Sequence, residues 1–139
     1  MKIEYNEAVL DASLFIQAFV REDYTDLAIE LINNLKKIYA PLLLIYEIGN
    51  ALIRLARRKF IENNEVIEKL NLAYSTPNLE LRKHNIENTA KIALNLNISF
   101  YDASYIELSR ELNVPLITAD KFLYEKGKNT DFILYAPEL

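Results

Sequence analysis

Short apolar runs alternate with longer segments of helical spacing along this chain. Residues 8–10 form the first run, which ends in Asp-Ala-Ser and reads as a buried strand opening into a helix, with Ser13 as the expected cap. Residues 25–36 carry apolar side chains at Leu27, Ala28, Leu31, Ile32 and Leu35, a one-sided helical stripe. A short strand is predicted over 38–40, and Pro41 falls where a helix would open, at its first position. Residues 42–60 predict a long helix, apolar on nearly all sides up to Ile53 and basic beyond it. Another helix is predicted over 65–74, stopped by Ser-Thr-Pro at 75–77.

The second half repeats the alternation. Residues 79–82 suit an edge strand, 85–96 and 102–112 suit helices, and Asn-Val-Pro closes the latter. A buried strand is predicted over 116–118, a short helix over 121–126 with Gly127 as its stop, and a last strand over 132–135. Strands alternating with helices predict an α/β fold, a parallel sheet covered on both faces. In such sheets ligands bind beyond the carboxyl ends of the strands. Asp11 and Asp120 each lie just past a predicted strand.

A chain of 139 residues fits one domain, 1–139. At that size it buries roughly two-thirds of its surface. The 51% hydrophobic residues suffice for a core and the 26% charged for a soluble surface, while two Gly and four Pro argue against a loop-rich chain. Absence of Cys excludes disulfides, thiolate zinc sites and thiol nucleophiles, and suits a reducing cytoplasm. The opening Met-Lys-Ile-Glu-Tyr-Asn-Glu is polar and acidic, unlike a secretory signal. The longest apolar stretch, 40–53, is broken by Glu47 and Asn50 and is too short to span a bilayer, so no membrane association is expected. A net charge of −4 gives no overall attraction to nucleic acid. Any polyanion would have to be held by bound metal and local basic clusters.

Four acidic residues change the picture: Asp11, Glu47, Asp102 and Asp120, each at a predicted strand end or on an apolar helix. A carboxylate within apolar sequence is costly to bury alone. Two such charges ~4 Å apart repel by roughly 4 kcal/mol at an effective dielectric near 20. A hard divalent cation relieves that conflict, because Mg²⁺ and Mn²⁺ favour carboxylate oxygen. Taken singly, each acid also fits a plain role. Asp11 and Asp120 fit helix N-caps, Asp102 complements a helix dipole, and Glu47 with Asn50 and Arg54 fits a solvent stripe. Ser13 and Thr118, each two residues from an Asp, fit either orienting partners of a carboxylate or ordinary cap and strand residues. Asn50 fits either a partner of a ligand carboxylate or a surface amide.

Other chemistries find less support. The single His84 lies between predicted elements and cannot build a His-rich zinc site. Neither Gly belongs to a phosphate-binding loop. Tyr46, Tyr101 and Tyr105 lie in core-like runs, which favours packing over base stacking. Arg54, Arg57, Arg58 and Lys59 suit either an RNA backbone or a helix C-terminus, and Lys121, Lys126 and Lys128 form a second basic patch.

The segments Val-Leu-Asp-Ala-Ser-Leu-Phe, Tyr-Glu-Ile-Gly-Asn-Ala-Leu, Ser-Phe-Tyr-Asp-Ala-Ser-Tyr-Ile-Glu-Leu-Ser and Pro-Leu-Ile-Thr-Ala-Asp-Lys-Phe-Leu follow one another across nearly the whole chain. In their order and spacing the sequence resembles PIN-domain ribonucleases, most closely the VapC-like toxins of bacterial and archaeal toxin–antitoxin pairs. The resemblance implies a three-layer α/β/α domain with a central parallel sheet. It implies an acidic metal site of Asp11, Glu47, Asp102 and Asp120, supported by Ser13, Asn50 and Thr118. It further implies a Mg²⁺- or Mn²⁺-dependent endoribonuclease, usually a homodimer, that cuts an RNA substrate and is inhibited by a cognate antitoxin protein. Ala40-Pro41 departs from relatives that often carry Ser or Thr there, a difference that affects a cap and no site residue.

On this basis Asp11 is the expected direct metal ligand, Asp102 and Asp120 direct or water-mediated ligands, and Glu47 a ligand or the residue that positions the attacking water. A module that binds antitoxin or RNA without turnover is the alternative; metal and antitoxin binding with no cleavage would mark it. A phosphoacceptor domain built on Asp11 leaves Glu47 without a role. Apolar surface on the helices over 42–60 and 65–74 favours a homodimer.

Overall fold

The computed structural model describes residues 5–20 and 23–139; the polar opening at Met1 to Glu4 lies outside the described residues. Five strands form one parallel sheet: β1 (Glu7–Leu10), β2 (Lys37–Pro41), β3 (Leu79–Arg82), β4 (Leu116–Thr118) and β5 (Ile133–Tyr135). Their order is β3-β2-β1-β4-β5. β1 and β4 lie at the centre and carry Ala8, Val9, Leu10, Leu116 and Ile117 fully buried. Such unbroken apolar runs suit strands covered on both faces.

Helices α1 (Ala12–Phe19) and α2 (Thr25–Asn34) follow β1, and α3 (Leu43–Arg57) and α4 (Asn63–Tyr74) follow β2. These four pack on one another. Helices α5 (Ile86–Leu96) and α6 (Phe100–Leu112) form a second pair, and α6 lies across β1, β2 and β4. Seven successive residues of α6, from Ala103 to Ser109, are buried. Helix α7 (Lys121–Gly127) joins β4 to β5, and a 3₁₀ turn covers Ala136–Glu138. The connections move outward from β1 to β2 and β3, then return past β1 to β4 and β5. The helix layer changes sides at that reversal, which gives the three-layer α/β/α arrangement. The reversal opens a crevice between the carboxyl ends of β1 and β4.

The predicted elements all form, with differences at their ends. Pro41 closes β2 opposite Arg82 instead of opening α3, for which Leu42 is the N-cap. Helix α3 stops at Arg57, before the predicted end at Phe60, because Lys59 turns left-handed at φ 63°. Ser13 caps nothing: its hydroxyl turns to the Asp11 carboxylate. Asn85 and Ser99 are true caps, accepting from the backbone N–H of Asn88 and Asp102. Asn97 and Asn113 end α5 and α6 in the left-handed conformation at φ 54° and 55°. Gly127 does not serve as a left-handed stop. It is the last helical residue, and a Cβ there would lie 2.4 Å from Cδ1 of Ile133 and 3.4 Å from Cδ1 of Ile106.

That approach yields a test. Gly127→Ala adds helix propensity of about 1 kcal/mol but overpacks the site by about 1–3 kcal/mol, so net destabilisation of about 1 kcal/mol is expected in urea unfolding. Ile133→Val removes the obstructing Cδ1, so the double variant should lose less than the sum of the two single losses. Strict additivity would show that the close approach carries no energy.

Candidate active site

Asp11 follows β1 directly and occupies the N-cap position of α1 in extended conformation, yet its side chain makes no capping bond. Both oxygens are taken by hydroxyls instead. Ser13 Oγ donates to Oδ1 at 2.5 Å and Thr118 Oγ1 donates to Oδ2 at 2.5 Å. Each hydroxyl also accepts a backbone N–H from the segment after β4: Ala119 N to Ser13 at 2.9 Å and Asp120 N to Thr118 at 2.9 Å. The carboxylate is thereby fixed across the crevice from two sides. It is 5% exposed. Burial pushes its pKa up from 3.8 to about 7, the two hydroxyls pull the other way, and the charges of Asp120 and Glu47 add to the rise.

The other three acids reach the same crevice from the N-terminal parts of three helices. Asp120 is the N-cap of α7 and accepts from Leu123 N at 3.3 Å through Oδ1, so here the capping role is real. Asp102, third residue of α6, is half-buried; burial and then the Asp120 charge raise its pKa, with Ser99 opposing. Glu47, fifth residue of α3, accepts from the Tyr105 hydroxyl at 2.6 Å. Burial raises Glu47, the Tyr105 hydrogen bond lowers it, and the Asp102 charge raises it further. Mutual repulsion therefore links all four acids: Asp11 with Asp120 and Glu47, and Asp102 with Glu47 and Asp120. None of them forms an ion pair with Lys or Arg among the described residues.

The donor set is all oxygen and uncompensated, which fits a hard divalent cation. Among the described residues, however, no three acidic or imidazole side chains converge closely enough to hold one ion by themselves. Sites that retain several waters need few direct protein ligands.

Of the supporting residues, Ser13 and Thr118 touch Asp11 directly, whereas Asn50 hydrogen-bonds to none of the four site carboxylates among the described residues. It lines a cavity of about 420 Å³ with Leu43, Tyr46, Glu47, Arg54 and Tyr101. Arg54 thus shares a cavity with Glu47, and Lys121 directly follows Asp120 as the exposed first residue of α7. Arg57 and Arg58 are exposed at the end of α3, outside that cavity lining. Lys126 lies over the Phe122 ring, and Lys128 pairs with Glu125 at 2.8 Å. His84 contacts Thr89 Oγ1 at 2.6 Å and stands edge-on to Phe100.

The tyrosines divide. Tyr105 is buried as its sequence context suggests, but its hydroxyl, with its pKa raised by burial and by Glu47, holds a site carboxylate. Sequence reasoning missed that contact, although Tyr105 lies three residues after Asp102 and so shares its helical face. Tyr46 and Tyr101 are not core residues: both are exposed and line the cavity beside Glu47.

Comparison with known proteins places this geometry in a family. The PIN domain family model matches residues 8–129. Ribonuclease VapC3 of Pyrobaculum aerophilum is 26% identical over 121 residues, covering 85% of this chain and 92% of that protein. The crystal structure of PAE2754 from Pyrobaculum aerophilum aligns with a TM-score of 0.68 at 27% identity, over 86% of this chain and 85% of that one. Two more distant structures share the fold. A toxin–antitoxin complex from Klebsiella pneumoniae has a TM-score of 0.65 at 14% identity over 93% of this chain and 97% of that one. Mycobacterium tuberculosis VapC20, described as a sarcin-ricin loop cleaving toxin, has a TM-score of 0.63 at 13% identity, over 86% of this chain and 95% of that one. A five-stranded parallel sheet with acids gathered at its switch point, and a family match over most of its length, mean that this chain belongs to the PIN-domain family.

Proposed function

We propose that the chain is a Mg²⁺- or Mn²⁺-dependent endoribonuclease, the toxin of a toxin–antitoxin pair, with Asp11, Glu47, Asp102 and Asp120 as its catalytic and metal-holding acids. The observation that carries this reading is a set of mutually repelling carboxylates at the switch point, Asp11 buried and the other three partly buried, with no Lys or Arg ion-pair partner among the described residues. The ribonuclease relative and the fold shared with toxin structures support the same reading.

The residues have separable tasks. Asp11 is held rigidly by Ser13 and Thr118, which suits a fixed ligand. Asp120 keeps one oxygen on the α7 backbone and offers the other, and Asp102 faces it from α6. Glu47, oriented by Tyr105, is placed to hold the attacking water and receive its proton. When bound, the divalent ion lowers the pKa of water and offsets charge on the phosphate. Water supplies the new P–O bond, one ester P–O bond breaks, and the leaving oxygen takes up a proton. Arg54, which shares a cavity with Glu47, and Lys121, next to Asp120, suit the RNA backbone; exposed Arg57 and Arg58 add basic surface at the end of α3.

A cognate antitoxin protein and a second copy of the chain complete the proposed partners. Exposed Leu42 and Ile53 at α3 and Ile67, Leu72 and Tyr74 on α4 supply apolar surface for a homodimer. Among the described residues no helix is long and apolar enough to cross a membrane, and a cytoplasmic setting suits a protein that acts on cellular RNA.

RNA cleavage should require Mg²⁺ or Mn²⁺ and vanish in chelator. Asp11→Asn should retain the fold and lose at least about 100-fold in rate, beyond the 10–100-fold typical of outer-shell partners. Undiminished cutting by that variant, or by wild type in chelator, would refute the assigned roles.

Asp11 also predicts a pH dependence. Its folded pKa of about 7 exceeds the ordinary 3.8, so the folded state binds the proton more tightly. Its contribution to stability is full below pH 3.8 and is lost as pH rises through 7, by up to about 4 kcal/mol. In chelator, Asp11→Asn should gain on wild type in urea unfolding as pH rises across that window. A constant difference between the two proteins would show that Asp11 is not buried as a strained carboxyl.

Light scattering should give twice the chain mass at micromolar concentration. A single-chain mass at high micromolar concentration would rule out the homodimer.

A further inference from the structure

Tyr46 and Tyr101 each precede a site carboxylate on its own helix, Tyr46 before Glu47 on α3 and Tyr101 before Asp102 on α6. One residue is about 100° of helical turn, so a helix that aims its carboxylate into the crevice aims the preceding ring at the rim. Both rings are exposed, by 75% and 61%. They line the same cavity of about 420 Å³, with Leu43, Glu47, Asn50 and Arg54. Among the described residues neither ring packs against another ring and neither hydroxyl has a hydrogen-bond partner.

Other exposed apolar side chains, such as Phe60, Ile67 and Leu94, do not line this cavity. What distinguishes the tyrosines is their company. Two tyrosine rings and Leu43 supply apolar surface to one space, and an amide, a guanidinium and a carboxylate supply its polar groups. A flat heteroaromatic ring with polar edges, joined to a phosphate, matches all of them. Stacking on aromatic side chains is how unpaired bases are held. Arg54 supplies a cation for the adjoining phosphate.

Taking the ribonuclease reading above as its basis, we infer that Tyr46 and Tyr101 form a stacking slot for one unpaired nucleobase next to the scissile phosphate, with Arg54 on the neighbouring phosphate. A base in duplex RNA presents no free face, so the slot selects loops and single strands at the cut.

The test is a fluorescence titration of a short single-stranded oligoribonucleotide carrying 2-aminopurine. It is read by stopped flow before turnover, with Mg²⁺ present. Wild type, Tyr46→Ala, Tyr101→Ala and the two Tyr→Phe variants are compared. The same oligomer with the base removed at each position in turn supplies the second arm. Each Ala change should weaken binding ~5- to ~150-fold, the range of one lost base–aromatic stack, and Phe should restore it. Removing the stacked base should cost the wild type a similar factor and cost the Ala variants little more. Ala variants that bind as tightly as wild type would overturn the slot, as would an abasic penalty unchanged in them. Wild-type cutting alongside silent tyrosine changes would leave the nuclease standing without the slot. Neither binding nor cutting by wild type would remove both.

Discussion

The fold turns on one carboxylate kept out of water with no Lys or Arg partner among the described residues. Asp11 ends the central strand β1, and its two oxygens are satisfied by hydroxyls alone. Those hydroxyls are themselves tied to the backbone after β4. Polar bonds thus bridge the crevice where the sheet changes direction, and the side chain at that bridge is held in a position it does not favour electrostatically. Buried charge of this kind persists only where its surroundings fix it. Here a parallel sheet flanked by two helix layers does so, and helix N-termini, with their outward N–H groups, bring Asp102 and Asp120 close.

Much of this was legible in the sequence because the relevant signals are local. Apolar runs of three or four residues between helical stripes predict a parallel α/β sheet, and the five strands form where those runs lie. The acids were conspicuous because each interrupts or ends an apolar segment. Their joint repulsion follows from the fold, since only the strand order brings residue 11 beside residue 118. The signals that misled were those with two meanings. Pro41 suits both a helix start and the last residue of a strand, and the ladder opposite Arg82 decides between them. Gly127 suits a helix stop, but the closeness of Ile133 and Ile106 is what leaves no room for a side chain.

The tyrosines show the same limit more sharply. Helix α3 is apolar on most sides up to Ile53, so periodicity cannot tell which side faces the sheet. Leu44, Ile48 and Leu52 turn out to define the buried stripe, which leaves Tyr46 on the outer side. In α6 the burial runs from Ala103 to Ser109, so Tyr105 is enclosed and Tyr101, one turn earlier, is not. Two residues of one type on one helix thus take opposite parts, one supporting a carboxylate from below and one standing at the mouth above it.

The placement of β4 beside β1 has a temporal side. Val9 pairs with Leu116, and Asp11 meets Thr118, across more than a hundred intervening residues. During synthesis β1 and its helices can pair with β2 and β3 before β4, the partner that completes the crevice, is made. A nascent chain therefore carries Asp11 and Glu47 in an unfinished half-site until β4 follows. The acidic centre closes only when Thr118 and Asp120 join it, so assembly of the site is tied to completion of the sheet.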